Sequence, residues 1–322
     1  MNKNHLLDQR TVIVTGAATG IGQAFAVQSA AQGARVVVAD MNDADETVAL
    51  IEAAGGQALA VRVDVSDQAS VDAMAAAALQ RFGRIDGLIN NAAYFREVKL
   101  TPFEEIDPAI WERIFRVNVQ GVWNCCKAVM PAMRAQQSGA IVNIASVVAV
   151  AGQPGYLHYV ASKGAVLAMT KGLAKECGAS QVRVNVIAPG FVITDATRNR
   201  PLEWQQSFLK ARAISREQRP DDLVGTAMYL LSDLSDFVSG QTIVVDGAMV
   251  RERVEKREVT LHGWHYVIED GEVHVFDVQT GRFLPASQSE HSGTGPYHDA
   301  PQDSPPDEQS IFNEIDARLA GG

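Results

Sequence analysis

The chain has 322 residues, of which 47% are hydrophobic and 20% charged, with a formal net charge of −10; this is globular composition and excludes wholesale disorder. Parallel α/β sheets often run to about 250 residues as one unit, so one main domain with an appendage is expected. No run approaches the roughly 18 apolar residues of a membrane span, and the negative charge opposes a nucleic-acid partner.

The first residues, "MNKNHLLDQRTVIVTG", enter a strand-like run with no long apolar stretch before a small-residue cleavage site, so a cytoplasmic protein is expected. Short β-branched runs then alternate with helix-length segments: "TVIVT", "RVVVAD", "ALAVRVDV", "DGLIN", "AIVNIAS", "VRVNVIAP" and "TIVVDG". Each run is nearly all apolar, as strands covered on both faces must be. The pattern predicts an α/β fold, a doubly wound seven-stranded parallel sheet of Rossmann type over residues 1–250.

After Asp246 the rhythm changes. "WHYVIEDGEVHVFDVQTGRFLP" predicts an antiparallel β meander with turns at Asp270-Gly271 and Thr280-Gly281. A Pro-rich linker follows over 285–309, and Ile311, Ile315 and Leu319 then form an i, i+4, i+8 stripe behind a Ser310 cap. Residues 251–322 hold 6 Lys+Arg and 14 Asp+Glu, a net of −8, so this extension carries most of the negative charge. A second unit, 251–322, is therefore expected. Cys125, Cys126 and Cys177 show no metal-ligand spacing and read as reduced packing residues, and no metal is expected.

Gly16, Gly20 and Gly22 punctuate "TVIVTGAATGIGQAF" where the first strand turns into a helix. Glycines there permit a tight turn and close backbone approach, while free N–H groups and the helix dipole favour a pyrophosphate. The second strand ends at Asp40, 18 residues after Gly22, where a carboxylate can accept from ribose hydroxyls and repel a 2′-phosphate. No Lys or Arg stands among Ala17, Ala18 and Thr19 to receive such a phosphate, so NAD is the expected cofactor.

Further along, "YLHYVASK" places Tyr156 and Tyr159 ahead of Lys163. On a helix the rise to Lys163 is roughly 6 Å from Tyr159 and roughly 10 Å from Tyr156. An ammonium stabilises the nearer phenolate more, which favours Tyr159 as the chemical group. A lone pair of this kind is commonly a surface feature of an amphipathic helix; Ser146, closing an apolar strand, adds a hydroxyl that can hold a substrate oxygen.

With these motifs the sequence resembles the short-chain dehydrogenase/reductase family over about residues 8–250. "TGAATGIG" matches the glycine motif, "NNAA" (90–93) the segment after the fourth strand, "VNVQG" (117–121) the helix bearing an asparagine, "YVASK" the active-site motif and "PGFVIT" (189–194) the nicotinamide segment. The resemblance implies a catalytic group of Asn118, Ser146, Tyr159 and Lys163. Tyr159 would exchange the proton, Lys163 would lower its pKa and hold the nicotinamide ribose, Ser146 would orient the substrate oxygen, and Asn118 would keep a water linking Lys163 to solvent. It implies cofactor contacts from Gly16, Thr19, Gly20, Ile21, Gly22, Asp40, Asp64, Val65, Asn91, Pro189, Gly190, Val192 and Thr194, besides Tyr159 and Lys163. Two departures stand out: Ala93 replaces the usual glycine of "NNAG", and the chain runs about 70 residues past the family's usual end.

Family specificity lies after "PGFVIT", where Trp204 and Phe208 stand at i, i+4 as a helical lid. With Ser146, Val148, Tyr156, Tyr159 and Phe191 they form the expected substrate pocket, and Tyr94, Phe95 and His158 are further candidates for its wall. Such an apolar pocket suits a small or medium, cyclic or aromatic secondary alcohol or its ketone. An NAD-dependent alcohol dehydrogenase is the leading reading. A carbonyl or 3-oxoacyl reductase is opposed by Asp40, since the usual reductive cofactor is NADPH, and a non-catalytic NAD-binding scaffold is opposed by the intact proton relay. The resemblance also implies a homodimer or homotetramer, and the apolar meander, too small to stand alone, is expected to pack on a neighbouring subunit, with packing on its own subunit as the alternative.

Overall fold

The computed structural model describes residues 5–198, 200, 205–206, 208–209 and 212–247, and the strand backbones 264–267, 272–277 and 282–285. The chain divides into two compact units, Met1–Glu252 and Arg253–Gly322. In the first, seven parallel strands stand in the order β3-β2-β1-β4-β5-β6-β7. They are β1 (Thr11–Thr15), β2 (Arg35–Asp40), β3 (Gln57–Arg62), β4 (Gly87–Asn90), β5 (Gly139–Ile144), β6 (Val182–Pro189) and β7 (Thr242–Val245). The doubly wound sheet is as expected.

Period-two alternation builds a core on each face of this sheet. In β1, Val12 and Val14 join one cluster with Phe25, Leu223 and Leu230, while Ile13 joins the other with Met74, Val129 and Val166. The first face is covered by α1 (Gly20–Ala31), α2 (Asp45–Ala53) and, later in the chain, α8 (Asp221–Leu231); the second by α3 (Gln68–Phe82), α5 (Gly121–Gln136) and α7 (Leu157–Cys177). Helix starts follow local chemistry. Asp67 caps α3 by accepting from Ala69 N and Ser70 N, and Asp107 caps α4 (Pro108–Phe115), with proline at its first position.

Two strand expectations need correction. The run "ALAVRVDV" leaves the sheet after Arg62, and β3 is an edge strand whose Gln57, Ala60 and Arg62 are exposed, so it is not covered on both faces. β5 ends at Ile144, which puts Ser146 on the loop beyond it, before the short α6 (Val148–Ala151). The three cysteines are free and buried; burial holds the Cys126 thiol up at about 12.

In the second unit, β8 (Trp264–Val267), β9 (Glu272–Asp277) and β10 (Arg282–Pro285) form an antiparallel sheet in the order β10-β9-β8, with Tyr266 opposite Val273 and Phe276 opposite Phe283. The turns at Asp270-Gly271 and Thr280-Gly281, the linker beyond Pro285 and the stripe of Ile311, Ile315 and Leu319 lie outside the described residues.

Candidate active site

The sheet order reverses between β1 and β4, and a crevice opens there beyond the carboxyl ends of the strands. A cleft of about 1070 Å³ occupies this position. One wall is the glycine loop. Gly16 and Gly20 have φ of +65° and +62°, values open to glycine at little cost. A Cβ on Gly22 would lie 2.0 Å from Gly16 O, so this glycine serves close packing of α1 on the loop and does not itself line the cleft. A Cβ on Gly20 would meet only the Thr194 side chain, at 3.6 Å, and this opening leads into the cleft.

Hydrogen bonds fix the loop from several directions. Asp40 Oδ2 accepts from Ala18 N at 3.0 Å, and Asn91 Nδ2 donates to Thr15 O and Gly16 O at 3.1 and 3.0 Å. Thr47, wholly buried on α2, donates toward Ala17 O and Ala18 O. At the Asp40 end of the cleft Asp64 Oδ1 accepts from Ser66, and Val65 O is held by Asn124 Nδ2 at 2.9 Å. Asp40, Asp43 and Asp64 line this end, and no Lys or Arg lines it beside them, although Arg62 stands opposite Asp40 in the β2–β3 register.

At the opposite end Ser146, Tyr159 and Lys163 line the same cleft. Lys163 is 3% exposed, and its Nζ donates to Ile144 O at 2.8 Å. Burial lowers its pKa to about 8, so it carries its charge at pH 7. Nζ stands 5.7 Å from the centre of the Tyr159 ring. Burial raises the Tyr159 phenol above its ordinary range, and neighbouring Tyr156 acts in the same sense; the ring packs on Phe95 at 4.9 Å. Phenol at rest and ammonium beside it make a proton donor with a cation ready to stabilise its conjugate base.

Asn118 is wholly buried in a π-helical turn, Arg116–Gln120, inserted between α4 and α5. Such widened turns often occur at functional sites. Its side chain is occupied: Oδ1 accepts from Tyr94 N at 2.7 Å, and Nδ2 donates to Ser162 Oγ at 3.2 Å. A water held by Asn118 would therefore be held through its main chain.

Tyr156 lines the cleft but lies just ahead of α7, with φ −119° and ψ 24°. The expectation that one helix carries both tyrosines is thus corrected: helical rise does not place Tyr156. It is buried against Val98 and Ile114, and desolvation raises its phenol. Phe208 stacks on Phe191 at 5.3 Å, and both, with Val148, border the cleft. Trp204 lies outside the described residues. His158 does not reach the wall suggested for it; it is buried beneath Tyr156 and absent from the lining. Thr19, Ile21, Asp64, Val65, Pro189, Gly190, Val192 and Thr194 all border the cleft, as does the exposed Ala93. Sequence reasoning missed the Ile144 carbonyl and Arg200, since neither acceptance by a main-chain oxygen nor a long-range arginine contact leaves a local pattern.

Residues 16–249 match the family described as Enoyl-(Acyl carrier protein) reductase. The chain is 36% identical over 246 residues to the Thermotoga maritima 3-oxoacyl-[acyl-carrier-protein] reductase FabG, an overlap covering 76% of this chain and 99% of that one. Among solved structures it is similar to a Sinorhizobium meliloti 1021 chain assigned as a short-chain alcohol dehydrogenase, with TM-score 0.71, 36% identity, and coverage of 75% and 96%. The chain belongs to the short-chain dehydrogenase/reductase family. Short-chain dehydrogenases/reductases are oxidoreductases that bind a nicotinamide cofactor. Another family structure, levodione reductase, matches with TM-score 0.71 and 32% identity over 75% of this chain and 97% of that one. Among the described residues no helix is long and apolar enough to cross a membrane.

Proposed function

We propose that the chain is an NAD-dependent oxidoreductase that interconverts a small or medium hydrophobic secondary alcohol, cyclic or aromatic, and its ketone. The observation that carries this reading is the presence of Tyr159 and Lys163 in one cleft with Asp40. The cleft suits a dinucleotide: glycines at positive φ open a cradle at the start of α1, and carboxylates stand at the end where ribose hydroxyls would donate. When bound, the nicotinamide supplies or accepts the hydride.

The chain's own residues manage the oxygen. The Ser146 hydroxyl orients the substrate oxygen and Tyr159 gives it a proton in reduction, or takes one in oxidation. Burial disfavours the phenolate, while the Lys163 ammonium, 5.7 Å from the ring centre, favours it. Lys163 is thus an electrostatic partner rather than a proton donor to substrate. The aromatic wall of Phe95, Tyr156, Phe191 and Phe208 excludes water and favours an apolar substrate.

Reduction of a 3-oxoacyl thioester is the second reading, supported by the name of the Thermotoga relative; the name of levodione reductase supports a cyclic ketone. Levodione and acetoacetyl-CoA offered side by side, with NADH as reductant, separate the two. For the cofactor, a clash between Asp40 and a 2′-phosphate costs on the order of several kcal/mol. NADH should therefore bind at least about 100-fold more tightly than NADPH by nucleotide fluorescence, and Asp40→Ala should shrink that ratio to below about tenfold. Equal binding of both by the wild-type chain would remove NAD from this proposal.

We place the protein in the cytoplasm, where its three thiols stay reduced, and propose a homodimer or homotetramer. The exposed groove lined by Trp111, Phe115, Trp123 and Met169 supports association of subunits. The 251–322 extension is proposed to pack on a neighbouring subunit. Truncation after Met249 is then expected to weaken the oligomer in sedimentation velocity, and an unchanged assembly would show that the extension plays no part in it.

A further inference from the structure

We propose that Arg200 is a positioning residue that ties the segment after Thr194 to the 94–98 loop, and so seats the aromatic wall against Tyr159. This rests on the oxidoreductase reading above and adds to it a residue outside the family motifs. Arg200 Nη1 donates to Val98 O at 2.8 Å and Nη2 to Phe95 O at 3.3 Å, across about a hundred residues of sequence. Its guanidinium lies 5.1 Å from the centre of the Phe95 ring and 5.9 Å from that of Tyr156. Phe95 in turn packs on Tyr159 at 4.9 Å.

Each end of this bridge is anchored. On its own segment Arg200 N donates to Thr197 O, Thr197 Oγ1 donates to Val192 O at 2.7 Å, and Gln205 Nε2 donates to Arg200 O at 2.7 Å. On the loop side Tyr94 N is held by Asn118 and Val98 is wholly buried. The loop is thus pinned by Asn118 at one end and by Arg200 at the other. Two carbonyls received by one planar fork, with rings at its face, use what distinguishes arginine from lysine. Among the described residues no carboxylate forms an ion pair with Arg200, so carbonyls and rings are its described partners.

The test compares full-length wild type, Arg200→Ala and Arg200→Lys. In hydrogen exchange, Arg200→Ala should speed exchange in both 94–98 and 195–198 by about tenfold or more, with β1 and β4 unchanged. Arg200→Lys should restore little of the protection, because one ammonium cannot occupy both carbonyls in the same geometry. With levodione and acetoacetyl-CoA, Arg200→Ala should raise KM about tenfold or more while kcat falls less than about threefold, and NADH affinity by fluorescence should stay within about twofold. Parallel loss of NADH affinity, exchange confined to one segment, or full rescue by lysine would each overturn the proposal. If the wild-type chain reduces neither ketone, the functional reading fails, and the exchange comparison alone decides whether Arg200 couples the two walls.

Discussion

Tyr159→Phe is expected to lower kcat/KM for ketone reduction by about a thousandfold or more, the upper range for loss of a positioned proton donor. NADH affinity should change less than about twofold, because the missing hydroxyl acts at the substrate oxygen and the ring that packs on Phe95 is retained. Tyr156→Phe should cost less than about tenfold, since that residue lies ahead of the helix and serves the wall. Stopped-flow mixing of enzyme and NADH with ketone separates the loss in chemistry from any loss in binding. Equal losses from the two variants would transfer the proton donor from Tyr159 to an undivided tyrosine pair.

Lys163→Met should lose activity to a similar extent, about a thousandfold, yet the folded protein should not suffer at neutral pH. The folded pKa is about 8, below the ordinary value of 10.5. The native state therefore holds this proton less tightly than the unfolded chain, and the charged side chain costs stability. That cost is fully present below pH 8 and disappears as pH rises from about 8 to about 10.5. The shift corresponds to a cost on the order of 3 kcal/mol, partly offset by the hydrogen bond to Ile144 O, worth about 1–2 kcal/mol. Urea unfolding should show Lys163→Met more stable than wild type by about 1–2 kcal/mol at pH 7, with the advantage gone near pH 10. In the wild type, kcat/KM for reduction should fall as pH rises through about 8, where the ammonium is lost. A variant destabilised at pH 7 would mean that Lys163 is a structural cation with little electrostatic cost.

What the sequence made legible followed from periodicity and punctuation. Largely apolar runs such as "VRVNVIAP" named β6 to the residue, and Gly16, Gly20 and Asp40 fell where strand ends meet the glycine loop. The failures were at element edges. β3 looked fully covered because its apolar side chains alternate with alanine, and nothing local reveals that it stands last in the sheet. Tyr156 and Tyr159 are three residues apart in sequence, and the helix starts between them, so a spacing argument valid for one misplaced the other. Asn118 was legible as a motif residue, but the π turn that buries it and consumes its amide was not. Arg200 was hidden for a different reason: its partners are main-chain oxygens, which carry no residue identity.

Loss of NADH absorbance on addition of ketone, in wild type and Tyr159→Phe side by side and with NADPH run in parallel, tests the central claim directly. The wild-type chain should consume NADH with levodione or acetoacetyl-CoA, use NADPH at least about 100-fold less efficiently, and lose the reaction in Tyr159→Phe. NADH consumption that survives the substitution undiminished, or NADH bound in the cleft with no ketone reduced, would contradict it.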